Sequence, residues 1–221
     1  MARKEKRVLY ASDLHIGHRT MAGYDRMNGV PGAPATVEER DALIIGNWNA
    51  VVGRNDDVWI LGDVAYLPEA DFIRLMRRLN GHKRIVMGNH DKTWVRRLGE
   101  THKGDVVSVS DYAEISDDGR RVVLSHFPIA FWNKQHRGAY HLYGHVHMTE
   151  EDRLFRAFGH ELVECGHLPE WRAMNVGVMA NGYFPMTLDQ LIKANGLAPD
   201  TEFASMGANH RMRRLGDGSG A

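Results

Sequence analysis

Short apolar runs alternate with amphipathic stretches along the first half of the chain. Val8-Leu9-Tyr10-Ala11 is an apolar run that predicts a strand, Val58-Trp59-Ile60-Leu61 predicts a second, and Arg84-Ile85-Val86-Met87 a third. After the first strand, a polar, glycine-rich stretch through Pro34 reads as loop. Thr36-Val37-Glu38-Glu39 then matches a capping box, in which the Thr hydroxyl and the Glu carboxylate satisfy free backbone N–H groups. Val37, Ile44, Trp48 and Val51 fall on one face of the helix behind it. Pro68 opens a second helix, with Phe72, Leu75 and Leu79 on one face and Gly81 as its stop. A short helical stretch follows near Thr93 to Leu98. The pattern then becomes β-like: Val106 to Ser110, Tyr112 to Ile115, a hairpin-type turn at Asp117-Asp118-Gly119, Val122-Val123-Leu124, and Tyr140 to Tyr143. Met174 to Val178 predicts the last core strand and Leu188 to Ala194 a closing helix. Strands alternating with helices predict a mixed α/β layer fold. With no internal repeat and no linker, residues 1–200 read as one domain and 201–221, ending in Gly216-Asp217-Gly218-Ser219-Gly220-Ala221, as a flexible tail.

Composition narrows the function classes. A chain of 221 residues can bury a core without staples. It is 43% hydrophobic and 25% charged, with no apolar run near the roughly 18 residues of a membrane span. The charged start, Met1 to Arg7, does not read as a signal peptide. A single cysteine, Cys165, excludes an intramolecular disulfide and fits a cytoplasmic location. Lys+Arg and Asp+Glu both total 28, so the basic excess that favours nonspecific nucleic-acid binding is missing. The unusual count is histidine, at 13. Imidazole is both a metal ligand and a group that titrates near neutral pH.

Five apolar runs each stop at a residue able to bind metal: VLYAS at Asp13, VWILG at Asp63, IVMG at Asn89, VVLS at His126 and HLYG at His145. Functional groups in open α/β sheets gather beyond the carboxyl ends of strands. If these strands align in one sheet, the five residues converge on one crevice, with His15 and His147 two positions further along their loops. Each element has a bland alternative, since a lone Asp is often a turn or cap residue and a lone His an ordinary polar residue. Five repetitions require independent bland explanations at every one. The inventory is two carboxylates, one amide and four imidazoles without a thiolate, which suits Mn, Fe, Co, Ni or Zn. Seven ligands exceed what one ion needs. Two ions sharing a carboxylate would use them all, as in sites that clamp the attacking and leaving oxygens of an in-line displacement at phosphorus.

Asp13-Leu14-His15, Gly62-Asp63, Gly88-Asn89-His90-Asp91, Ser125-His126 and Gly144-His145-Val146-His147 stand in the order of the calcineurin-like metallophosphoesterases. The resemblance covers Val8 to about Val178, and the subfamily looks like the small bacterial or phage-type phosphoesterases. It implies a two-sheet mixed β-sandwich flanked by helices, a four-layer α/β/β/α arrangement, with the site at its edge. It also implies that Asp13, His15, Asp63 and His147 hold one divalent ion and Asp63, Asn89, His126 and His145 the other, Mn first among the candidates. The implied mechanism is direct in-line attack by a metal-bridging hydroxide. His90 resembles the family's catalytic histidine, stabilising a phosphate oxygen or protonating the leaving alkoxide. Asp91 is expected either to orient His90 through a hydrogen bond or to cap a helix.

Outside these motifs, His18 is a candidate phosphate contact or an exposed loop histidine; Arg19 is a second candidate contact, and Asn89 faces substrate as well as metal. Phe127, Pro128, Phe131 and Trp132 are read as a stacking surface for a flat leaving group or as core, core being the commoner fate. His160, Cys165 and His167 match no closed zinc spacing, so the stretch between Met148 and Trp171 is expected to cover the site or form a partner surface. The expected function is a dinuclear-metal-dependent phosphodiesterase. A phosphomonoesterase or nuclease of the same chemistry and a catalytically silent metal-binding scaffold are the alternatives. The expected partner is a phosphoester, with nucleotides among the candidates.

Overall fold

The computed structural model describes residues 6–198, so the tail expected at 201–221 lies outside the described residues. In chain order the elements are β1 (Val8–Ala11), α1 (Met21–Met27), α2 (Val37–Val51), β2 (Asp57–Leu61), α3 (Glu69–Arg78), β3 (His82–Val86), α4 (Leu98–Thr101), β4 (Val106–Ser110), β5 (Tyr112–Asp117), β6 (Arg120–Ser125), β7 (Tyr140–Tyr143), α5 (Glu150–Glu164), β8 (Ala173–Asn175), β9 (Met186–Thr187) and α6 (Leu188–Ala194). One sheet has the order β4-β3-β2-β1-β9 and the other β5-β6-β7-β8. In the first, β1 to β4 run parallel and β9 pairs antiparallel with β1. In the second, only the β5–β6 pair is antiparallel.

The continuous apolar runs are explained by burial on both faces. Side chains alternate across a strand, so Leu9 and Ala11, Val58 and Ile60, and Ile85 point into a core shared with Ile44 and Trp48 of α2 and Phe72, Leu75 and Met76 of α3. Tyr10, Leu61 and Val86 point the other way, into a core shared with Val122, Leu124, Tyr140 and Leu142 of the second sheet. On that sheet's outer face Val123, Tyr143 and Ala173 pack with Trp132, Trp171 and residues of α5. Three stacked apolar layers separate helices, sheet, sheet and helix, which is the expected α/β/β/α sandwich. Parallel strands covered on both sides read as unbroken apolar runs for this reason.

The capping box is formed: Glu39 N donates to Thr36 Oγ1 and the Glu39 carboxylate accepts from Thr36 N. The Asp118-Gly119 turn has positive φ at both residues, as a tight hairpin requires. Several expectations differ from the structure. The stretch read as loop through Pro34 contains α1, whose Met21 and Ala22 are buried while most of its remaining residues face solvent. Gly81 does not stop α3, which ends at Arg78; it turns the chain into β3 with φ +86°. The strand expected over Met174 to Val178 stops at Asn175, because Val178 begins a short 3-10 helix. The two-residue β9 was not anticipated; it is too short for an alternation to register. No helix among the described residues is long and apolar enough to cross a membrane.

Candidate metal centre

The condition that the five strand ends share one sheet is not met. β1, β2 and β3 end in one sheet, β6 and β7 in the other. Convergence survives because the two sheets are joined at that edge. Ser12 N donates to Val176 O (2.9 Å) and Val178 N donates to Ser12 O (3.0 Å), bridging the end of β1 to the chain just past β8. Asp13 N to Gly62 O (3.1 Å) and His15 N to Asp63 O (2.9 Å) bind the first two loops together.

The loops turn sharply immediately after their strands. Asp13, His15, Asp63, His145 and His147 all have φ between 46° and 68°. A left-handed backbone at a non-glycine residue is uncommon and costs free energy, and it concentrates at sites where the surrounding structure forces it. Here it swings each side chain back over the strand ends. Close approach also demands glycine: a Cβ on Gly144 would lie 1.9 Å from Ser12 Oγ and 2.5 Å from Asp13 Oδ2, and one on Gly88 2.2 Å from Asp63 Oδ1.

Two clusters result. Asp13, His15 and His147 place one ligand atom each within 4.8 Å of one another, and so do Asp63, His126 and His145. Asp63 Oδ2 sits between the two groups, 3.6 Å from His15 Nε2 and 3.5 Å from His126 Nε2. His15 Nε2 and His147 Nε2 lie 3.9 Å and 3.8 Å from Asp13 Oδ1. Asn89 Oδ1 is 2.9 Å from His126 Nε2. All seven expected ligands are thus brought to one edge of the sandwich.

The donor chemistry fits divalent cations. His126 Nδ1 is 2.7 Å from Leu61 O, an atom that only accepts, so Nδ1 carries the proton. In the neutral ring Nε2 is then a bare lone pair, and it faces the Asn89 and Asp63 oxygens. Three electron-pair donors aimed at one another need either a proton on Nε2 or a metal ion between them. Both ring nitrogens of His15, and Nδ1 of His147, are buried with no hydrogen-bond partner. Orphaned buried polar atoms are costly, and a metal ion would engage the outward lone pairs.

Electrostatics agree. Burial pushes His15 down to about 3 and His147 down to about 4, so both are neutral imidazoles at physiological pH. Asp63 resists the upward pull of its own burial: the hydrogen bond and charge of His126, the His90 N–H and His15 hold its carboxyl at about 2. Asp13, fully buried, is pushed up to about 7 by desolvation, with His126 partly offsetting it. A buried carboxylate raised in this way has charge that a bound cation would compensate.

His90 stands exposed at the rim, its backbone N–H donating to Asp63 Oδ1 (2.9 Å). Asp91 does neither thing expected of it. Its Oδ2 accepts from Asp63 N (3.0 Å) and Gly88 N (2.8 Å) and its Oδ1 from Val64 N (2.9 Å), so it pins two ligand loops together and neither orients the His90 ring nor caps a helix. The group on the His90 ring is Tyr66, whose hydroxyl is hydrogen-bonded to Nδ1. His18 is beside the site, its ring 5.6 Å from that of His15 and 4.1 Å from that of Tyr66. Arg19 is exposed and lines the groove between α1 and the start of α2 instead of the ligand cluster. The Phe127 to Trp132 cluster divides: Trp132 is core, while Phe127 and Phe131 are 49% and 62% exposed. Phe127 lies against His145, ring centroids 4.4 Å apart, at the mouth of the site.

Sequence reasoning missed Tyr66 and Asn175. Asn175 donates to His147 O (2.6 Å) and Asp152 Oδ1 (3.0 Å) and accepts from Gly177 N (2.8 Å), anchoring the His147 loop from β8. Its position at the end of a strand, like the five ligands, was the available signal; Tyr66 offered none. The stretch from Met148 to Trp171 is mostly α5, which packs Phe155, Leu162 and Val163 on the outer face of the second sheet.

The chain is 38% identical over 85 residues to the gene 66 protein of Mycobacterium phage L5, a match spanning 37% of this chain and 38% of the phage protein's length. It is 30% identical over 163 residues to the gene 66 protein of Mycobacterium phage D29, covering 63% of this chain and 78% of that one. A solved structure of a protein of unknown function, AQ665 from Aquifex aeolicus, is similar in fold: TM-score 0.60, 22% identity, 86% of this chain and 100% of that one. The calcineurin-like phosphoesterase profile matches residues 6–170, from β1 through the last of the ligand loops and α5, and the chain therefore belongs to the calcineurin-like phosphoesterase family.

Proposed function

We propose that this chain is a dinuclear-metal-dependent phosphoester hydrolase acting on phosphodiesters, in a reducing, cytoplasmic setting. The observation that carries the reading is Asp63 Oδ2 lying within 3.6 Å of an imidazole from each of two ligand clusters, the position of a carboxylate shared by two ions. Asp13, His15, Asp63 and His147 would hold one ion and Asp63, Asn89, His126 and His145 the other. Bound divalent ions, Mn first and Fe, Co, Ni or Zn compatible with the same donors, lower the pKa of water enough to supply hydroxide near neutral pH and neutralise phosphoryl oxygens. The protein's share is positioning. Left-handed loop residues and Asp91 hold the ligands in place, and Asn89 contributes an uncharged oxygen beside an anionic substrate. His90, exposed at the rim, donates to a phosphoryl oxygen or protonates the leaving alkoxide. Asn89 and His90 are both exposed, so the rim of the site is open to solvent. Nucleotides are the candidate substrates, with Phe127 as a flat apolar surface beside His145.

The test compares hydrolysis of p-nitrophenyl phosphate and bis-p-nitrophenyl phosphate by metal-stripped protein with Mn added back. Diester cleavage that requires metal, falls by about 100-fold or more in His90→Ala and disappears in Asp63→Ala is the expected outcome. Preference for the monoester replaces the diesterase reading with a phosphatase. Protein that binds two metals yet cleaves neither ester with several divalent ions would be a binding scaffold.

A further inference from the structure

His90 needs a fixed ring orientation and a proton on its outward nitrogen if it is to donate to substrate. Asp91, next in sequence, supplies neither: its two oxygens accept from three backbone N–H groups and make no hydrogen bond to the His90 ring. Among the described residues the hydrogen-bond partner of the His90 ring is the Tyr66 hydroxyl, at Nδ1. Tyr66 is itself held. Its backbone N–H donates to Ile16 O (2.8 Å), its ring meets the His18 ring edge-on at 4.1 Å, and Lys92 Nζ stands 5.8 Å over it.

We propose that Tyr66 is a positioning residue that fixes the tautomer and orientation of His90, so that Nε2–H points outward as the donor to the substrate phosphoryl group. A phenol is a better donor than a neutral imidazole N–H, and an imidazole nitrogen a better acceptor than a phenol oxygen. The favoured arrangement is therefore Tyr66 O–H donating to His90 Nδ1, which leaves the ring proton on Nε2. Burial, followed by the charges of Asp63 and Asp91, raises the Tyr66 phenol above its ordinary value, keeping it a donor across neutral pH. If the ring becomes charged, Nδ1–H turns to the phenol oxygen and Nε2 still carries its proton. The outward donor thus exists in both protonation states, and the proposal does not depend on where His90 titrates. It rests on the phosphoesterase reading only for its catalytic consequence.

The experiment pairs Tyr66→Phe with two readouts. In 15N-histidine NMR of the metal-free full chain, the neutral form of the His90 ring is expected as the Nε2–H tautomer in the unaltered protein, shifting to a mixed population in Tyr66→Phe. Finding His90 as Nδ1–H, or the same tautomer in both proteins, overturns the proposal whatever the enzyme does. In Mn-dependent hydrolysis, Tyr66→Phe is expected to lower kcat about 10-fold with KM unchanged, a fraction of the general-acid contribution. Tyr66→Phe combined with His90→Ala is expected to lose no more than His90→Ala alone. Additive losses in the double variant would show that Tyr66 acts apart from His90 and would also overturn it. If His90→Ala itself is fully active, the phosphoesterase role of His90 fails, while the NMR readout still decides the pairing.

Discussion

Residues at the site are packed to backbone tolerance. Gly144 is the sharpest case, with the Ser12 hydroxyl occupying the space a side chain would need. Asp13 beside it accepts the His145 N–H at 3.1 Å through Oδ2, so anything that displaces Asp13 also moves the His145 loop. Gly144→Ala is expected to destabilise the fold by about 2 kcal/mol through overpacking. It should also weaken Mn binding by at least about 10-fold, on the scale of damage to groups supporting metal ligands. Denaturant midpoints and a metal titration check this; a variant with unaltered stability and affinity would show that the loop has slack the geometry does not allow for. The same reasoning separates His15 from an ordinary buried histidine. His141 is also fully buried, but its Nδ1 donates to Val123 O and its Nε2 accepts from Ile129 N, so it is satisfied by the fold. His15 has neither nitrogen satisfied.

Elements carry the ligands only because their ends are tied to each other. β2 and β3 pair in register from Asp57 and His82 to Leu61 and Val86, so Asp63 and Asn89 emerge side by side. Asp91 finishes the joint by accepting from N–H groups on both loops. Asp91→Ala strips three backbone donors of their acceptor and is expected to cost about 3 kcal/mol of stability. His90→Ala, which removes an exposed ring, is expected to cost under about 0.5 kcal/mol. Urea unfolding of the two variants separates a structural tie from a chemical group; equal stability in both would remove Asp91 from the role assigned to it. α2 contributes differently. Its buried Arg40 pairs with Asp25 at 2.6 Å and donates to Leu14 O at 2.6 Å, which supports the Asp13–His15 loop from beneath.

At the scale of the molecule, a buried neutral imidazole links folding to pH. Burial lowers His141 to about 4, with the hydrogen bond to Val123 O partly opposing. A depressed histidine contributes stability that is fully present above its unfolded value near 6.5 and is lost as pH falls through the folded value near 4. In that window the unfolded chain takes up a proton that the folded chain excludes, giving a slope of up to about 1.4 kcal/mol per pH unit. The difference in pH slope between unaltered protein and His141→Gln, both metal-free, isolates this from the carboxylates common to both. Unaltered protein is expected to lose stability more steeply between pH 6.5 and 4.5; parallel curves would mean His141 is protonated in the folded state.

β1, β2, β3, β6 and β7 were legible in the sequence because each is an apolar run that ends at a polar residue, and burial on both faces of a strand writes that pattern locally. The family's ordered motifs were legible for the same local reason, since each ligand sits within four residues of a strand end. The capping box at Thr36 and the Asp118-Gly119 turn are likewise local chemistry. Partition of the five strand ends between two sheets was decided only in three dimensions, by the stacking of apolar layers and the Ser12 bridge to the end of β8. So was the traffic between side chains distant in sequence. Asp91 is bound to Asp63 and Val64 of another loop, Tyr66 to His90, and Asn175 to His147. The sequence determines which residues can bind metal and that strands deliver them. Which of their neighbours orient them depends on contacts between residues 24 to 28 positions apart, and such contacts leave no mark on the local pattern.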